Sequence, residues 1–408
     1  MPVIVQKYGG SSVANEDKIR LIAQRVCRRK AEGYDIVVVV SAMGDTTDHL
    51  LSLAQKVSKD PHERELDMLL TAGERISIAL LSMAIWDQGY EAISFTGSQS
   101  GIITNDSHNK ARVVEVRPFR IQDELDRGRI VIVAGYQGVS YRREITSLGR
   151  GGTDTTAVAM AAALGAEACE IYSDVDGVYS ADPRTVLDAQ RLNEISSDEM
   201  LTLARHGAKV LNADAVAYAQ TRGIALFAKS SFGPDGDQGT IVRVDPPEDP
   251  LIISGVTKRS DAYLCTFDLG ESGVSAASET IVLLADSGLA PDHVLSADDR
   301  LSLILYEENH PNLTLHLREF QQKHGSEIRV LEKIHTASMV GHALSGDPDI
   351  CKGATEIVKE IWSPQGLLVE PLALTFLFQR SENAEEETKL KKIVSSLHKR
   401  FVLGTIQD

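Results

Sequence analysis

The chain has 408 residues, more than the roughly 250–300 at which one hydrophobic core stops growing, so two or more domains are expected. Hydrophobic residues make up 43% and charged residues 25%, a globular mix that excludes disordered and fibrous classes. With 58 acidic against 42 basic residues the net charge is −16, and no local basic patch offsets it, so nucleic acid is excluded as a partner.

The longest aliphatic run, Ile36 to Val40, is far short of the roughly 20 residues that span a bilayer. The opening Met1-Pro-Val-Ile-Val-Gln-Lys7 has no secretory apolar region, so no membrane association and a cytoplasmic location are expected. Cys27, Cys169, Cys265 and Cys351 are scattered without zinc or redox spacing, and no metal ligands are assigned.

In chain order, strands are expected at Val3–Lys7, Ile36–Ser41, Ala92–Phe95, Ile130–Ala134, Glu170–Ser173 and Ile224–Lys229. Helices alternate with them at Asp17–Ala31, from about Asp48, from Glu63 to Gln88, near Gln122, at Thr155–Leu164 and at Ala213–Thr221. This rhythm predicts an α/β fold with a mainly parallel sheet sandwiched by helices. The run from Val244 to Pro250 carries three prolines and marks a boundary. Beyond it shorter units follow: strand 263–269, helix 275–287, strands 293–297 and 301–306, helix 312–324 and strand 328–335. A similar series runs from strand 337–343 through helix 350–362 and strands 367–371 and 374–379 to helix 384–401. The pattern predicts two α+β βαββαβ units, with domains at 1–245, 251–335 and 336–408.

Five motifs carry chemistry. Lys7-Tyr-Gly9-Gly10-Ser11-Ser follows the first strand; its glycines and N–H groups suit a phosphate, although a Gly-Gly turn with a serine cap reads equally well. Ser41-Ala-Met-Gly-Asp-Thr-Thr47-Asp places hydroxyls at a strand end, where open α/β sheets bind ligands. Thr71-Ala-Gly-Glu74-Arg offers an acid for an ammonium group, against a plain surface ion pair. Leu148-Gly-Arg150-Gly-Gly-Thr153-Asp154-Thr-Thr precedes a helix and is the most specific, since Arg150 can grip a carboxylate while Asp154 takes an amine. Tyr172-Ser173-Asp174-Val-Asp-Gly-Val-Tyr179-Ser-Ala-Asp182-Pro-Arg184 combines an aromatic ring, acids and a guanidinium after a strand.

In this order the five motifs resemble the aspartate kinases of the amino acid kinase family, from Val3 to about Phe232, with two ACT-like units following. The resemblance implies ATP-dependent phosphorylation of the β-carboxylate of L-aspartate, a phosphotransfer to a carboxyl acceptor and the entry step to lysine, threonine and methionine. Mg²⁺ would arrive mainly with ATP. It implies that Lys7, with Gly9, Gly10 and Ser11, neutralises the transferring phosphoryl group. Arg150 would hold the α-carboxylate, Glu74, Thr153 and Asp154 would lie near the amine, and Ser41 and Thr47 would line the pocket. Ser173, Asp174, Tyr179, Asp182, Arg184 and Lys209 would meet the nucleotide. Alternatives are a non-catalytic ATP-binding regulatory paralogue and a kinase for a related amino acid.

Two departures stand out. After Gly207-Ala-Lys209-Val-Leu the family commonly has His-Pro-Arg, where this chain has Asn212-Ala213-Asp214. In the ACT-like part, Glu271-Ser272-Gly273-Val274 replaces a typical Asp-x-Pro-Gly turn, Val294-Leu295-Ser296-Ala297 lacks two amides, and Leu374-Thr-Phe-Leu-Phe378 is apolar. Lost or altered lysine and threonine feedback is therefore expected, with the ACT-like units serving assembly into a homodimer or larger homo-oligomer.

Overall fold

The computed structural model describes residues 1–149, 151–247, 251–269, 273–297, 300–310, 312–324, 328–342, 344, 347–381, 383 and 385–403. The chain forms two compact units, Met1–Tyr179 with Arg191–Pro250, and Ser180–Gln190 with Leu251–Asp408. The segment Ser180–Gln190, read in sequence as continuous with the first half, thus packs in the second unit.

In the first unit the elements run β1 (Val3–Tyr8), α1 (Glu16–Ala31), β2 (Asp35–Val40), α2 (Thr46–Val57), α3 (Glu63–Leu70), α4 (Ala72–Trp86) and β3 (Ala92–Phe95). They continue with β4 (Ile102–Thr104), β5 (Val113–Val116), α5 (Phe119–Asp126), β6 (Ile130–Ala134), β7 (Gln137–Ser140), β8 (Ile145–Ser147), α6 (Gly152–Leu164) and β9 (Ala168–Ser173). Last come β10 (Glu194–Ser196), α7 (Ser197–Arg205), α8 (Ala213–Arg222), β11 (Leu226–Ser230) and β12 (Thr240–Arg243). The main sheet has the order β10-β12-β11-β9-β1-β2-β6-β3, parallel throughout except at β11–β12. Its central strands β2 and β6 are buried along their whole length, which is why both read as unbroken aliphatic runs rather than alternating ones. A smaller sheet, β5-β4-β7-β8, stands beside it.

The single helix expected over 63–88 is two, meeting at Thr71, whose hydroxyl donates to Asp67 O (2.8 Å). By length and composition the stretch Glu63–Trp86 could cross a membrane, but Ile78, Leu81 and Ile85 lie in the core against β1, β2 and β6.

The core also holds one charged cluster. Glu170 on β9 is 2% exposed and accepts from Gln6 (2.8 Å), Lys229 (2.8 Å) and the Tyr172 hydroxyl (3.0 Å), while Tyr172 stacks on Tyr8 with centroids 4.7 Å apart.

In the second unit β13 (Gly255–Asp268), α9 (Gly273–Asp286), β14 (His293–Ala297), β15 (Arg300–Tyr306), α10 (Leu313–His324) and β16 (Ile328–Val340) are followed by α11 (Pro348–Ile361), β17 (Gly366–Glu370), β18 (Ala373–Gln379) and α12 (Glu385–Phe401). They build one antiparallel sheet, β14-β15-β13-β16-β18-β17, consistent with ACT-like βαββαβ units that share their long strands. The two strands expected at 328–335 and 337–343 are one, β16, and the strand expected from Tyr263 begins at Gly255. A bulge after Arg259 adds one residue to β13. It changes the strand's phase, so that Val256 and then Tyr263, Cys265 and Phe267 all join helix-covered apolar clusters.

Glu170 yields a stability prediction. Burial disfavours its charge, but Lys229, Gln6 and Arg29 outweigh that and hold the carboxyl below its ordinary range. Its contribution is therefore present at neutral pH and lost as the pH falls through the folded-state value. Lys229→Met should cost about 3 kcal/mol at neutral pH, because it leaves a buried charge underpaired. Urea denaturation should show this deficit shrinking in acid.

Candidate active site

Parallel strands present their carboxyl ends together, so the loops leaving β1, β2, β6, β9 and β11 collect along one edge of the sheet. Backbone bonds tie the loops to their neighbours: Ser41 N–H to Tyr8 O (3.1 Å), Gly135 N–H to Val40 O (3.0 Å), Gly44 N–H to Gly10 O (3.1 Å) and Ser231 N–H to Ser173 O (2.8 Å). The hydroxyls of Ser12 and Ser231 meet at 2.6 Å and join the β1 loop to the β11 loop.

Lys7, next to last in β1, pairs with Asp154 in the first turn of α6; Nζ and Oδ1 are 2.7 Å apart and each side chain is 12% exposed. A Cβ on Gly9 would lie 3.3 Å from Lys7 Nζ, and one on Gly10 would lie 3.0 Å from Ala42 O. The two glycines thus let the loop close over the ammonium and against the β2 loop. An ammonium, a glycine-lined backbone and a helix N-terminus together suit an anionic group. At that N-terminus Gly151 has φ +70°, and a Cβ there would fall 2.0 Å from Asn212 Nδ2. Asn212 itself caps α8, accepting from Ala215 N–H (3.1 Å). The position that departs from the family pattern is therefore wedged against the Gly-rich loop.

Glu74, in the first turn of α4, is 3% exposed. Its Oε1 accepts from Ala42 N–H (3.2 Å), and Oε2 has no partner among the described residues. Burial pushes the carboxyl up to about 7, against the opposing pull of its own N–H and that of Ala42. A Cβ on Gly73 would come 2.8 Å from that of Ala42, so glycine permits this approach. Next to Ala42, Ser41 Oγ donates to Thr153 Oγ1 (3.0 Å). Lys7, Ser41, Glu74, Thr153 and Asp154 form one connected group of an ammonium, hydroxyls, a paired carboxylate and an acid with a vacant oxygen. An incoming ammonium fits that oxygen.

The remaining expected residues divide. Ser11 is exposed beyond Gly10, and Thr47 is half-buried in the first turn of α2. Ser173 ends β9, Asp174 is exposed, and Tyr179 donates to Asp176 Oδ1 (3.0 Å). Lys209 is exposed between α7 and α8. Asp182 and Arg184 belong to the second unit and pair with each other, Nε to Oδ1 3.0 Å. Arg150 lies outside the described residues, as do Glu271 and Ser272.

Sequence reasoning missed Asp67. It is fully buried and accepts from Ser147 Oγ (2.5 Å) and Asn109 N–H (3.1 Å), with His108 Nδ1 at 2.7 Å, and so anchors the strand that leads into the Gly-rich loop. A signal existed: Asp67, Leu70, Glu74, Ile78, Leu81 and Ile85 recur at helical spacing, so both acids lie on the buried stripe.

The amino acid kinase family model matches residues 2–229. The chain belongs to the amino acid kinase family. Within the family it is similar over nearly its full length to the aspartokinases of Corynebacterium efficiens and Mycolicibacterium smegmatis, each 42% identical and covering 99% of this chain and 97% of the relative. The fold matches aspartokinase III of E. coli, solved in complex with aspartate and ADP, with a TM-score of 0.85 at 23% identity, over 98% of this chain and 100% of that one. In this amino acid kinase family member the Gly-rich loops and the Lys7–Asp154 pair occupy the sheet edge just described.

Glu74 gives the family site a pH signature. Folding takes up a proton there between the ordinary value of 4.5 and about 7, so its contribution to stability falls as pH rises through that window. The whole effect is roughly 3 kcal/mol, at about 1.4 per pH unit. Glu74→Gln should match the parent in urea melts near about pH 5 and exceed it near about pH 8. An equal gap at both values would show that Glu74 is not held as a buried acid.

Proposed function

We propose that the enzyme transfers the γ-phosphoryl group of ATP to the β-carboxylate of L-aspartate, giving 4-phospho-L-aspartate. The observation that carries this reading is Glu74, a buried acid with one vacant oxygen, set at the same strand ends as the Lys7–Asp154 pair. One end of the site suits an ammonium and the other an anion, as a zwitterion meeting a polyphosphate requires. The aspartokinase relatives support the same assignment.

A carboxylate is already deprotonated, so the reaction needs no general base, and positioning with charge neutralisation does the work. Glu74, as the anion, accepts from the substrate amine beside Asp154 and Thr153, while Ser41 and Thr47 line the pocket and Arg150 grips the α-carboxylate. Lys7 leaves Asp154 for the phosphoryl oxygens, with N–H groups of Gly9, Gly10 and Ser11 beside it. Ser173, Asp174, Tyr179 and Lys209 hold the nucleotide. Mg²⁺, arriving with ATP, would neutralise further phosphate charge.

The catalytic part is residues 1–245, and 251–408 form the ACT-like part; the division proposed at 335/336 falls inside β16. We place the enzyme in the cytoplasm as a homo-oligomer. Edge strands β14 and β17 support pairing between copies, since they expose Val294 and Leu295, and Leu367 and Val369. Lysine and threonine feedback is lost or altered.

Trapping the acyl phosphate as a hydroxamate with ATP, Mg²⁺ and either aspartate or glutamate tests the reaction. Aspartyl hydroxamate is expected, and its absence would overturn the assignment; preferential glutamyl product would indicate a related substrate. Lys7→Met should raise the barrier by at least about 3 kcal/mol, the scale of losing a preorganised electrostatic donor. In the same assay, millimolar lysine or threonine should inhibit weakly, and strong inhibition by either would refute altered feedback.

A further inference from the structure

Asp67 on α3 is fully buried and holds two stretches of chain at once. Its Oδ1 accepts from Ser147 Oγ (2.5 Å), at the end of β8, and from Asn109 N–H (3.1 Å), while His108 Nδ1 lies 2.7 Å from Oδ2. The two stretches are also bonded to each other, since Ala111 N–H donates to Ser147 O (2.9 Å). Both lead to the Gly-rich loop, and each supports a different end of it.

At the near end Gly149 has φ +76°, and a Cβ there would lie 3.1 Å from Asn109 O. Asn109 is itself left-handed, with φ +60°, and its N–H is taken by Asp67. The Gly149 turn therefore rests on backbone that Asp67 fixes. At the far end stands Tyr136, whose side chain interacts with Ser147 and whose carbonyl accepts from Leu148 N–H (2.9 Å). A Cβ on Gly152 would lie 3.2 Å from Tyr136 Cδ2, so the start of α6 leans on that ring. Tyr136 has φ +65°, a conformation that is costly for a bulky residue and persists only where its surroundings impose it.

A carboxyl group is expensive to bury, and apart from Glu74 the stripe it shares is apolar: Leu70, Ile78, Leu81 and Ile85. Packing alone would favour another apolar side chain. The acid adds directional bonds instead, and its partners all belong to segments that support the Gly-rich loop.

We propose that Asp67 is a positioning residue that sets the amino-acid specificity of the site. Through Asn109 and Ser147 it fixes Gly149 and Gly152, and with them the span between the Gly-rich loop and Lys7. That span is the length of substrate the site accepts: the loop takes the α-amino and α-carboxylate groups, and Lys7 meets the phosphoryl group at the side-chain carboxylate. The inference rests on the substrate assignment made above. Asp67 touches no substrate and takes no part in phosphoryl transfer.

The test uses the full chain and the variants Asp67→Asn, Asp67→Ala and Ser147→Ala, assayed as hydroxamate with aspartate and with glutamate. Asp67→Asn keeps the shape and one acceptor oxygen. It should raise KM for aspartate about tenfold, the scale of one lost hydrogen bond, with kcat and KM for ATP nearly unchanged. The preference for aspartate over glutamate should fall about tenfold with it, because a loosened loop no longer penalises one extra methylene. Asp67→Ala should lose more. Ser147→Ala removes a single oxygen and should shift both quantities in the same direction, so it keeps the test valid should the Asp67 variants fold poorly. Amide exchange at Ala111 and Leu148 should quicken in every variant. An unchanged KM for aspartate or an unchanged preference in folded Ser147→Ala, or equal losses in kcat and both KM values, overturns the proposal. If the parent protein forms no aspartyl hydroxamate, the substrate assignment has failed instead. Amide exchange then decides separately whether Asp67 holds the loop, and unchanged exchange overturns that as well.

Discussion

Lys7 and Asp154 face each other at 2.7 Å, largely removed from water, where the central strand of the main sheet meets the N-terminus of α6. Neither charge can be left alone there, since an unpaired ion in that setting costs several kcal/mol. Much of the surrounding design follows from keeping both ions and still letting a ligand in. β1 must be central and apolar on its flanks, so that Lys7 emerges at a fixed point among the loops. Gly9 and Gly10 must lack side chains, because a Cβ on either would press on Lys7 Nζ or on Ala42 O. Asp154 must sit in a first turn, where the helix dipole favours its charge.

The same pair changes the meaning of the net charge of −16. The family resemblance sets four cations, Lys7, Arg150, Arg184 and Lys209, against the anionic substrates. In the structure Lys7 is matched by Asp154 and Arg184 by Asp182, so those two cations bring no excess charge of their own. Under the proposed function, attraction would work by exchange of partners: an incoming polyanion would take Lys7 from Asp154, and an incoming ammonium would take up the freed carboxylate and the unpartnered oxygen of Glu74. That exchange would couple the binding of the two substrates, a stricter filter than a positive field, because a lone anion would leave Asp154 buried and unpaired.

The fold was legible where the hydrophobic pattern was long and regular. β1, β2, β6 and α1 fall within a residue or so of their expected bounds, because buried parallel strands read as aliphatic runs and α1 has acids first and bases last. The β5-β4-β7-β8 sheet was not legible, since strands of three or four residues carry too little periodicity to separate from loops. β16 looked like two strands because the polar pair His335-Thr336 interrupts its apolar residues, although His335 is held by Ser260 (2.9 Å) and faces Glu386 (3.3 Å). In the site, motif order singled out Lys7, Ser41, Glu74, Thr153 and Asp154, although the Glu74 motif taken alone read as a surface ion pair. Tertiary packing decides that burial; the stripe shared with Asp67 was the available hint. The excursion Ser180–Gln190 had no sequence signature, because its apolar residues Ala181 and Val186 are too few to mark a core.

The second unit shows how far an apolar strand can be read. In β18, Leu374, Phe376 and Phe378 lie in the apolar cluster beneath α11 and α12, so their character answers to packing and says nothing about a ligand. The alternate residues face the other way. Thr375 stands opposite Ser338, hydroxyls 2.8 Å apart, and Ser338 stands opposite Thr257 on β13. Thr257 and the neighbouring Thr336 bury hydroxyls that have no partner among the described residues. Three adjacent strands therefore keep a row of hydroxyls on the face away from α11 and α12. Substitutions at Val294 and Leu295 bear on an edge strand instead, where exposed aliphatic side chains favour contact with another copy. The proposed change in regulation would rest on those edge positions more than on the apolar half of β18, and a ligand of this unit would be sought along the hydroxyl row.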